Sequence, residues 1–213
     1  MEQASPDCNT AIGSAALTVI DRVGLFGLEP HLVAAELGST EASAAAAAVP
    51  VDALIDLAVD ALYAEVELEP TAVRWADRIR FYAHSFRGAL LRHPELAYSI
   101  ATRPVVSMAS IRLAEHALGE LTAVGFTPTH ANRVLLVLVS FVTGHALTEI
   151  GASDARYGGH DPDAVADFRG SLSVDDVPLA ARSVGDVDRD AEFELGLGLL
   201  VDGLERQLLH AAP

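Results

Sequence analysis

The sequence predicts an all-α protein, and three observations support this fold class. Apolar residues make up 51% of the 213 residues and aromatic residues only 6%, with alanine, leucine and valine prominent. The apolar residues recur at the i, i+3 and i+4 spacing of an amphipathic helix. Glycine or proline flanks most of these periodic segments, where such residues end or start helices. The alternating pattern of β-strands is weak throughout, so we expect a fold built from helices alone.

The first 66 residues predict a compact domain of four short helices. Apolar periodicity and capping residues place these helices at residues 9–23, 30–37, 39–49 and 52–62. Gly24 and Gly38 end the first two helices and Pro50 ends the third, because glycine tolerates the left-handed backbone and proline cannot continue a helix. Tight turns therefore join consecutive helices in this domain.

Residues 67–213 predict a second, larger helical domain. Its helices are expected at residues 74–93, 95–101, 105–123, 129–150 and 191–209. The intervening region 153–190 is rich in glycine, aspartate and proline and predicts an irregular acidic loop. The helix at 129–150 is apolar on nearly every face, so it must be covered either by the core or by a second subunit.

Charge and cysteine content limit the classes of function. The chain contains 14 arginines, no lysine and 30 acidic residues, for a net charge of −16. A single cysteine, Cys8, excludes an internal disulfide, and a cytoplasmic location is the default expectation. No signal peptide is evident at the N-terminus. The longest strongly apolar run, residues 134–142, is too short to span a bilayer, so no membrane partner is expected.

An alanine-rich stretch, STEASAAAAAVPV, occupies residues 39–51, where we expect a helix with a functional surface. Arg22 is the only arginine or lysine before Arg74, against twelve acidic residues, which gives a local net charge of −11. A protein that binds a nucleic-acid duplex needs cations to displace the phosphate counterions. The composition of this domain therefore argues against nucleic acid as a partner.

Four segments of the chain carry a family resemblance. They are AALTVIDRVGLFGLEPHLVAAELG at 15–38, SFRGALLRHPELAYSIATRP at 85–104, GFTPTHANRVLLVLVSFVTGHAL at 125–147 and EFELGLGLLVDGLERQL at 192–208. Together they cover most of the chain and resemble the TetR (tetracycline repressor) family, above all its tetracycline-binding branch. The resemblance implies an N-terminal helix-turn-helix, a larger ligand-binding domain and a homodimer joined by a four-helix bundle. The helices of that bundle would be those at 129–150 and 191–209.

The resemblance fails at the positions that contact DNA in the family. Where the family usually offers threonine and arginine or lysine to phosphate, this chain has EPHL at 29–32. Where the family usually has two aromatics and a histidine followed by lysine, this chain has alanine at 45–47, then Val49 and Val51. We therefore expect a degenerate helix-turn-helix that no longer binds DNA. The alternative is a divergent repressor that binds through its N-terminal arm, although that arm carries no cation.

The predicted ligand-binding domain keeps polar and aromatic residues at positions that line the family's pocket. These are Tyr82, Phe86, Thr102, Arg103, Asn132, Ser140 and Thr148, with His116 and Leu135 beside them. The family's imidazole and carboxylate that hold a metal–tetracycline complex are replaced by Ser99 and Thr148, so neither a metal nor a cofactor is expected. Tyr82 and Phe86 fit core positions as well, Arg103 fits a helix cap, and His116 fits either the pocket or the surface.

A histidine and a carboxylate share one face of the apolar helix at 129–150. His145 and Glu149 are four residues apart, so their side chains can meet. A histidine oriented by a carboxylate is an arrangement used for general-base catalysis. The same pair also fits a buried ion pair in a dimer interface, and the sequence leaves both interpretations open.

These observations lead to an enzyme as the main functional prediction. The predicted pocket keeps its polar and aromatic residues, whereas the helix that should contact DNA has lost its contact residues. This combination suggests an enzyme whose substrate is a bulky, largely apolar metabolite of the polyketide type. Acid–base dehydration, cyclisation or conjugate addition would need only positioning and proton transfer, with His145, Glu149 and Tyr82 as the catalytic residues. The first alternative is a non-catalytic ligand-binding or heterodimerising regulator, and the second is a divergent TetR-family transcriptional repressor.

Overall fold

A computed structural model describes residues 6–38, 40–68, 74–102, 107–153, 162–173, 175–179 and 188–211. Every regular element in these ranges is a helix, which confirms the all-α prediction. The elements are α1 (Pro6–Val23), a 3-10 turn (Leu25–Gly27), α2 (Pro30–Glu36), α3 (Glu41–Ala47), α4 (Val51–Ala64), α5 (Trp75–Arg92), α6 (Pro94–Thr102), α7 (Met108–Ala123), α8 (Pro128–Ser153), α9 (Pro162–Gly170) and α10 (Arg189–Ala211).

Helices α1 to α4 form the N-terminal part of the structure. Helix α1 packs along α4, and α2 packs against α3. Gly24 and Gly38 have φ values of 79° and 69°, so the backbone takes the left-handed conformation after α1 and α2 that glycine permits without strain. The predicted glycine stops are therefore found at both positions. Fully buried side chains fill the space between the four helices: Ile12, Val19, Ile20, Val33, Leu54 and Leu62.

The start of α3 is set by a side-chain cap. Thr40 Oγ1 accepts a hydrogen bond from the backbone N–H of Ser43 at 3.2 Å, which satisfies one of the free donors of the first turn. The Ser43 hydroxyl donates to the carbonyl oxygen of Ala34 at 2.8 Å and ties α3 to α2. Helix α3 is shorter than the predicted 39–49, and its C-cap is Ala48.

Helices α5 to α8 and α10 form the second part. Helix α8 packs on α5, α6 and α7, and α10 packs on α5 and α8. The helices lie close to their predicted positions, whereas α9 falls inside the region 153–190. The prediction of a wholly irregular loop there is therefore wrong for residues 162–170. The interior contains side chains that are each 2% exposed or less: Leu90, Leu96, Leu121, Val142, Phe193 and Leu197.

Helix α8 is more extensively apolar than its longest apolar run suggested. Its residues Pro128–Gly151 have a mean hydropathy of 1.7 and would be long enough to cross a membrane by length and composition alone. One face of the helix is buried against four other helices of the fold. A core helix of a globular fold can meet the same criterion of length and hydropathy. On the exposed side, Leu136 and Val137 lie open to solvent, as do Leu195 and Leu199 of α10.

A polar network ties the N-terminal helices to α5 and α6. The ring of His93 contacts Asp21 of α1 through Nδ1 (2.8 Å) and Glu65 through Nε2 (3.1 Å). Two nitrogens of Arg92 donate to the same Glu65 carboxylate. Burial raises the pKa of Asp21 despite the contact with His93. Burial also acts to raise the pKa of Glu65, but the hydrogen bonds from Arg92 and His93 outweigh it and lower the pKa.

Candidate functional site

The first candidate surface is the exposed side of α3. Helices α2 and α3 pack together, and Gly38 with its left-handed backbone lies in the short connection between them, which is the arrangement of a helix-turn-helix. Ala46 is completely buried, whereas Ala44, Ala47 and Ala48 are exposed. The alanine stretch therefore has two roles, because one of its members is a core residue and others form a small-residue outer face.

Several acidic side chains of the N-terminal helices are engaged by other parts of the chain. Asp21 and Glu65 contact His93, and Glu36 pairs with Arg22 at 2.9 Å. Asp60 Oδ1 accepts hydrogen bonds from the hydroxyl of residue 107 and the backbone N–H of residue 109, both at 2.7 Å. At least four of the twelve acidic residues are thus held by partners within the fold, and Arg92, which is not among the first 73 residues, offsets the charge of Glu65.

The second candidate site is the interior enclosed by α5, α7 and α8. Tyr82 of α5 and His116 of α7 meet edge to face, with ring centroids 5.7 Å apart. Phe86 is buried and stacks on Tyr63 of α4 at 5.5 Å, and burial raises the pKa of the Tyr63 hydroxyl to about 12. Phe86 therefore lies in the apolar wall between the two parts of the fold, whereas Tyr82 and His116 bring polar atoms into the interior.

Buried polar atoms without hydrogen-bond partners lie on α7 and α8. Among the described side chains, His116 Nε2, Thr143 Oγ1 and both ring nitrogens of His145 are buried and make no hydrogen bond within the protein. A buried polar atom left unpaired costs about 1–3 kcal/mol, and such atoms in native proteins normally find a partner. A small molecule with its own donors and acceptors would supply those partners.

An arginine occupies the region where the catalytic pair was predicted. Arg87 is 8% exposed and donates through Nε (3.0 Å) and a terminal nitrogen (2.8 Å) to Glu149 Oε2. It also pairs with Asp190 at 2.7 Å and lies 4.8 Å from the centre of the Phe193 ring. Burial acts to lower the pKa of Arg87, but its hydrogen bonds to the two carboxylates raise it overall.

This arrangement leaves the predicted pair of His145 and Glu149 unassembled. His145 Nδ1 is 3.8 Å from Glu149 Oε2, which exceeds hydrogen-bond distance. Burial, the larger cause, and then repulsion from Arg87 lower the pKa of His145. The ring is therefore neutral near pH 7. Because Glu149 is bound by Arg87, it does not orient His145 as a general base. Glu149 instead forms a buried ion pair with Arg87, a residue that the sequence analysis did not single out.

The other predicted pocket residues do not converge on one cavity. Thr102 is exposed and donates to the carbonyl oxygen of Tyr98 (2.9 Å), and Arg103 lies outside the described residues. Leu135 of α8 is partly buried, and the remaining predicted residues on the exposed side of this helix are Asn132, Ser140 and Thr148.

Two residues of the interior, Arg87 and Thr143, escaped prediction. Both are less than a tenth exposed. Arg87 stands next to Phe86 in the sequence of α5, and an arginine beside the apolar stripe of a helix is a signal that could have been noticed. Thr143 gives no such signal, because threonine is common on both buried and exposed helix faces.

The fold and these sites define a class of protein: a helix-turn-helix unit joined to a larger helical body whose interior holds unsatisfied polar atoms. Comparison with known families is more specific. Residues 69–208 match the family described as "Tetracyclin repressor-like, C-terminal domain". The chain belongs to the TetR family, which confirms the resemblance read from the sequence.

Individual relatives match over nearly the whole chain. The class A tetracycline repressor protein from transposon 1721 of Escherichia coli is 31% identical over 94% of this chain and 91% of its own. An HTH-type transcriptional regulator of Saccharopolyspora erythraea is 28% identical over 91% and 82%. The structure of the TetR family protein ActR of Streptomyces coelicolor in complex with actinorhodin superposes with a TM-score of 0.78, at 28% identity and full coverage of both chains.

These relatives correct the functional prediction. Two of them are a repressor and a transcriptional regulator by name, and both match the N-terminal helices as well as the larger helical body. The prediction of an enzyme, with cyclase or dehydratase chemistry, is therefore wrong, as is the prediction that DNA binding is lost. The structure supplies a physical reason for each error. Glu149 is hydrogen-bonded to Arg87 and does not act with His145. Asp21 and Asp60, two acidic residues of the N-terminal helices, contact the rest of the fold.

Proposed function

We propose that the protein is a ligand-responsive transcriptional regulator. Helices α1 to α4 would bind DNA, and a small molecule in the interior of α5, α7 and α8 would change that affinity. The observation that supports this most strongly is the similarity to regulators across both parts of the chain. The buried unpaired atoms of His116, Thr143 and His145 are the polar groups that the ligand would contact.

The proposed ligand is bulky and largely apolar, with a few polar groups. The walls are aromatic and aliphatic, including Tyr82 and Phe86, and the polar atoms are few, the pattern of small-molecule sites in general. ActR, which is similar to this chain over its full length, has been solved in complex with actinorhodin. No metal or cofactor is part of this proposal. The division into domains at residues 1–66 and 67–213 also remains a prediction.

We propose that the regulator is a cytoplasmic homodimer. The apolar side chains on α8 and α10 that are more than half exposed include a group that a second copy would bury: Leu136, Val137, Leu195 and Leu199. Asn132, Ser140 and Thr148 lie on the exposed side of α8. They would then be near the interface between subunits, where a ligand that reaches across α8 could also contact them.

The small face of α3 suggests how the protein would read DNA. Ala44 and Ala47 cannot make bidentate hydrogen bonds to bases, but alanine methyl groups make apolar contacts with thymine methyls in the major groove. With few cations near α3, counterion release would contribute little to affinity, so binding would depend only weakly on salt concentration.

A charge-addition variant tests this binding mode. We expect Ala44→Arg/Ala47→Arg to strengthen non-specific DNA binding and to steepen the slope of log K against log[salt] by about 2, because two more phosphates are neutralised. Both positions are exposed, so the fold is retained. Fluorescence anisotropy across a salt series measures the slope.

The matched control for the charge-addition variant is the pair Gly119→Arg/Ala123→Arg on α7. Both of these positions are exposed, and α7 belongs to the larger helical body rather than to the N-terminal helices. The control adds the same charge to the protein as a whole but not to α3. An equal change of slope in both variants would contradict the assignment of α3 as the DNA-binding surface.

A second experiment tests the ligand site, with actinorhodin as the probe. We expect the probe to change the affinity of the wild-type protein for DNA from upstream of its own gene. His116→Phe should weaken that response at least about tenfold, since it removes an interior polar atom, while ligand-free DNA affinity stays the same. His130→Phe, at an exposed histidine on α8, is the matched control. Tight binding of the probe with no effect on DNA affinity would contradict a ligand-responsive regulator.

A further inference from the structure

A cavity lies where the N-terminal helices meet α6, apart from the interior between α5, α7 and α8. Its volume is about 380 Å³. Thr102 and Ser99, which stand at positions of the family's pocket, line this cavity, but none of its lining residues is among those whose unpaired polar atoms mark the interior site. We refer to this feature as the junction cavity. It is lined by Leu25, Phe26 and Leu28 around the 3-10 turn, Val51 and Ile55 of α4, and Tyr98, Ser99 and Thr102 of α6.

Two aromatic side chains at the junction cavity are open to solvent. Phe26 is fully exposed and Tyr98 is 57% exposed. Large apolar side chains of this kind are normally withdrawn from water, and a cluster of them around a concavity indicates a binding surface. Since neither ring packs in the core, their exposure is not explained by the stability of the folded chain.

The polar character of the junction cavity limits what it can bind. Its described lining holds no charged side chain, and its polar side-chain groups are the hydroxyls of Tyr98, Ser99 and Thr102. A carboxylate lies close by, since Glu95 accepts a hydrogen bond from the Leu25 N–H at 3.3 Å. A buried or half-buried anion beside a carboxylate is disfavoured by both desolvation and repulsion. Apolar molecules without negative charge fit these conditions.

We propose that the junction cavity is a second small-molecule site, which binds a compact planar aromatic compound that carries no negative charge. Phe26 and Tyr98 contact the rings of the compound, and the hydroxyls of α6 accept or donate a hydrogen bond to its polar group. Because the cavity wall is formed by the 3-10 turn and α4 on one side and by α6 on the other, the bound compound joins the two parts of the fold.

Paired probes that share one ring system test the proposal. 1-Naphthylmethanol is neutral and 1-naphthoate is anionic at about pH 7.5. We expect the alcohol to bind the full-length protein and the carboxylate to bind at least about tenfold more weakly, a difference that follows from the charge alone. Titration calorimetry gives both affinities, and NMR chemical-shift changes at residues 25–28 and 98–102 locate the site.

Variants distinguish the junction cavity from the interior. Phe26→Ala and Tyr98→Ala should each weaken the binding of 1-naphthylmethanol at least about tenfold without lowering the unfolding temperature, because both side chains are exposed. His116→Phe should leave that binding unchanged. Loss of binding in His116→Phe, unchanged binding in both junction variants, or equal affinity for the two probes would each overturn the proposal. The result is independent of DNA binding, so it stands or falls separately from the proposed regulatory function.

Discussion

Replacement of Arg87 by leucine is expected to lower the free energy of unfolding by about 2–4 kcal/mol. Arg87 is buried, and two of its nitrogens donate to Glu149, a carboxylate that is itself largely shielded from water. Removal of one partner from a buried ion pair costs about 3–5 kcal/mol. The expected loss for Arg87→Leu is smaller because Asp190, the second partner of Arg87, is exposed to solvent. Urea unfolding monitored by circular dichroism measures the change.

The control for Arg87→Leu is Arg74→Leu. Arg74 pairs with Glu205 at 2.8 Å, but its side chain is 72% exposed, so its loss should cost less than about 1 kcal/mol. A second change, Glu149→Gln in the Arg87→Leu background, should recover part of the stability because it removes the uncompensated carboxylate. Equal losses for the two arginine variants would show that the buried ion pair is not the source of the effect.

Arg87→Leu should also raise the pKa of His145. In the native protein burial and the nearby guanidinium lower that pKa, so the folded state binds fewer protons than the unfolded state and stability decreases as the pH falls below about 6.5. Without Arg87, the repulsion disappears and the Glu149 charge is no longer neutralised. NMR titration of the His145 ring should therefore show protonation at higher pH in the variant. An unchanged titration would contradict the coupling of the two residues.

Substitution of Gly13 by valine is expected to destabilise the N-terminal helices by about 3 kcal/mol. A Cβ atom at position 13 would lie 2.6 Å from the carbonyl oxygen of Leu57 and 3.2 Å from its carbon, both in the backbone of α4. Because backbone atoms cannot rotate away, α1 and α4 would have to separate. Overpacking of this kind costs about 1–3 kcal/mol, occasionally more, and valine adds two methyl groups beyond the Cβ.

Thermal unfolding and DNA titration measure the effect of Gly13→Val. The unfolding temperature and the affinity for DNA should both fall, because α1 supports the helix-turn-helix. The matched control is Gly119→Ala on α7, where an added Cβ meets no atom within 4 Å. That variant should gain about 0.5–1 kcal/mol from reduced backbone entropy in the unfolded chain. If Gly13→Val were as stable as the wild type, the close approach of α1 to α4 would be contradicted.

Much of the fold follows from local sequence signals. Helix α5 was predicted at 74–93 and is found at Trp75–Arg92, because its apolar spacing is regular and Pro94 limits its end. Helix α9 escaped prediction because residues 162–170 lie in a stretch that is rich in glycine, aspartate and proline. A regional composition typical of loops concealed a short helix that begins at Pro162.

The candidate sites were less predictable because they depend on distant contacts. An arginine in a helix is usually a surface residue, and only the approach of Glu149 and Asp190, from other helices far along the chain, explains the burial of Arg87. In the same way, the number of acidic residues near α3 follows from the sequence, but the direction in which each side chain points does not. Asp60 is occupied by groups at positions 107 and 109, a contact that no local count can reveal.

Direct titration of DNA tests the central claim that this TetR-family protein is a transcriptional regulator. The measurement is fluorescence anisotropy of the full-length protein on DNA from upstream of its own gene, compared with a scrambled duplex of equal length, at about 50 mM salt. We expect binding to the upstream DNA that is about 10³-fold or more tighter than binding to the scrambled duplex. Equal and weak affinity for the two duplexes, in protein shown to be folded, would contradict the claim.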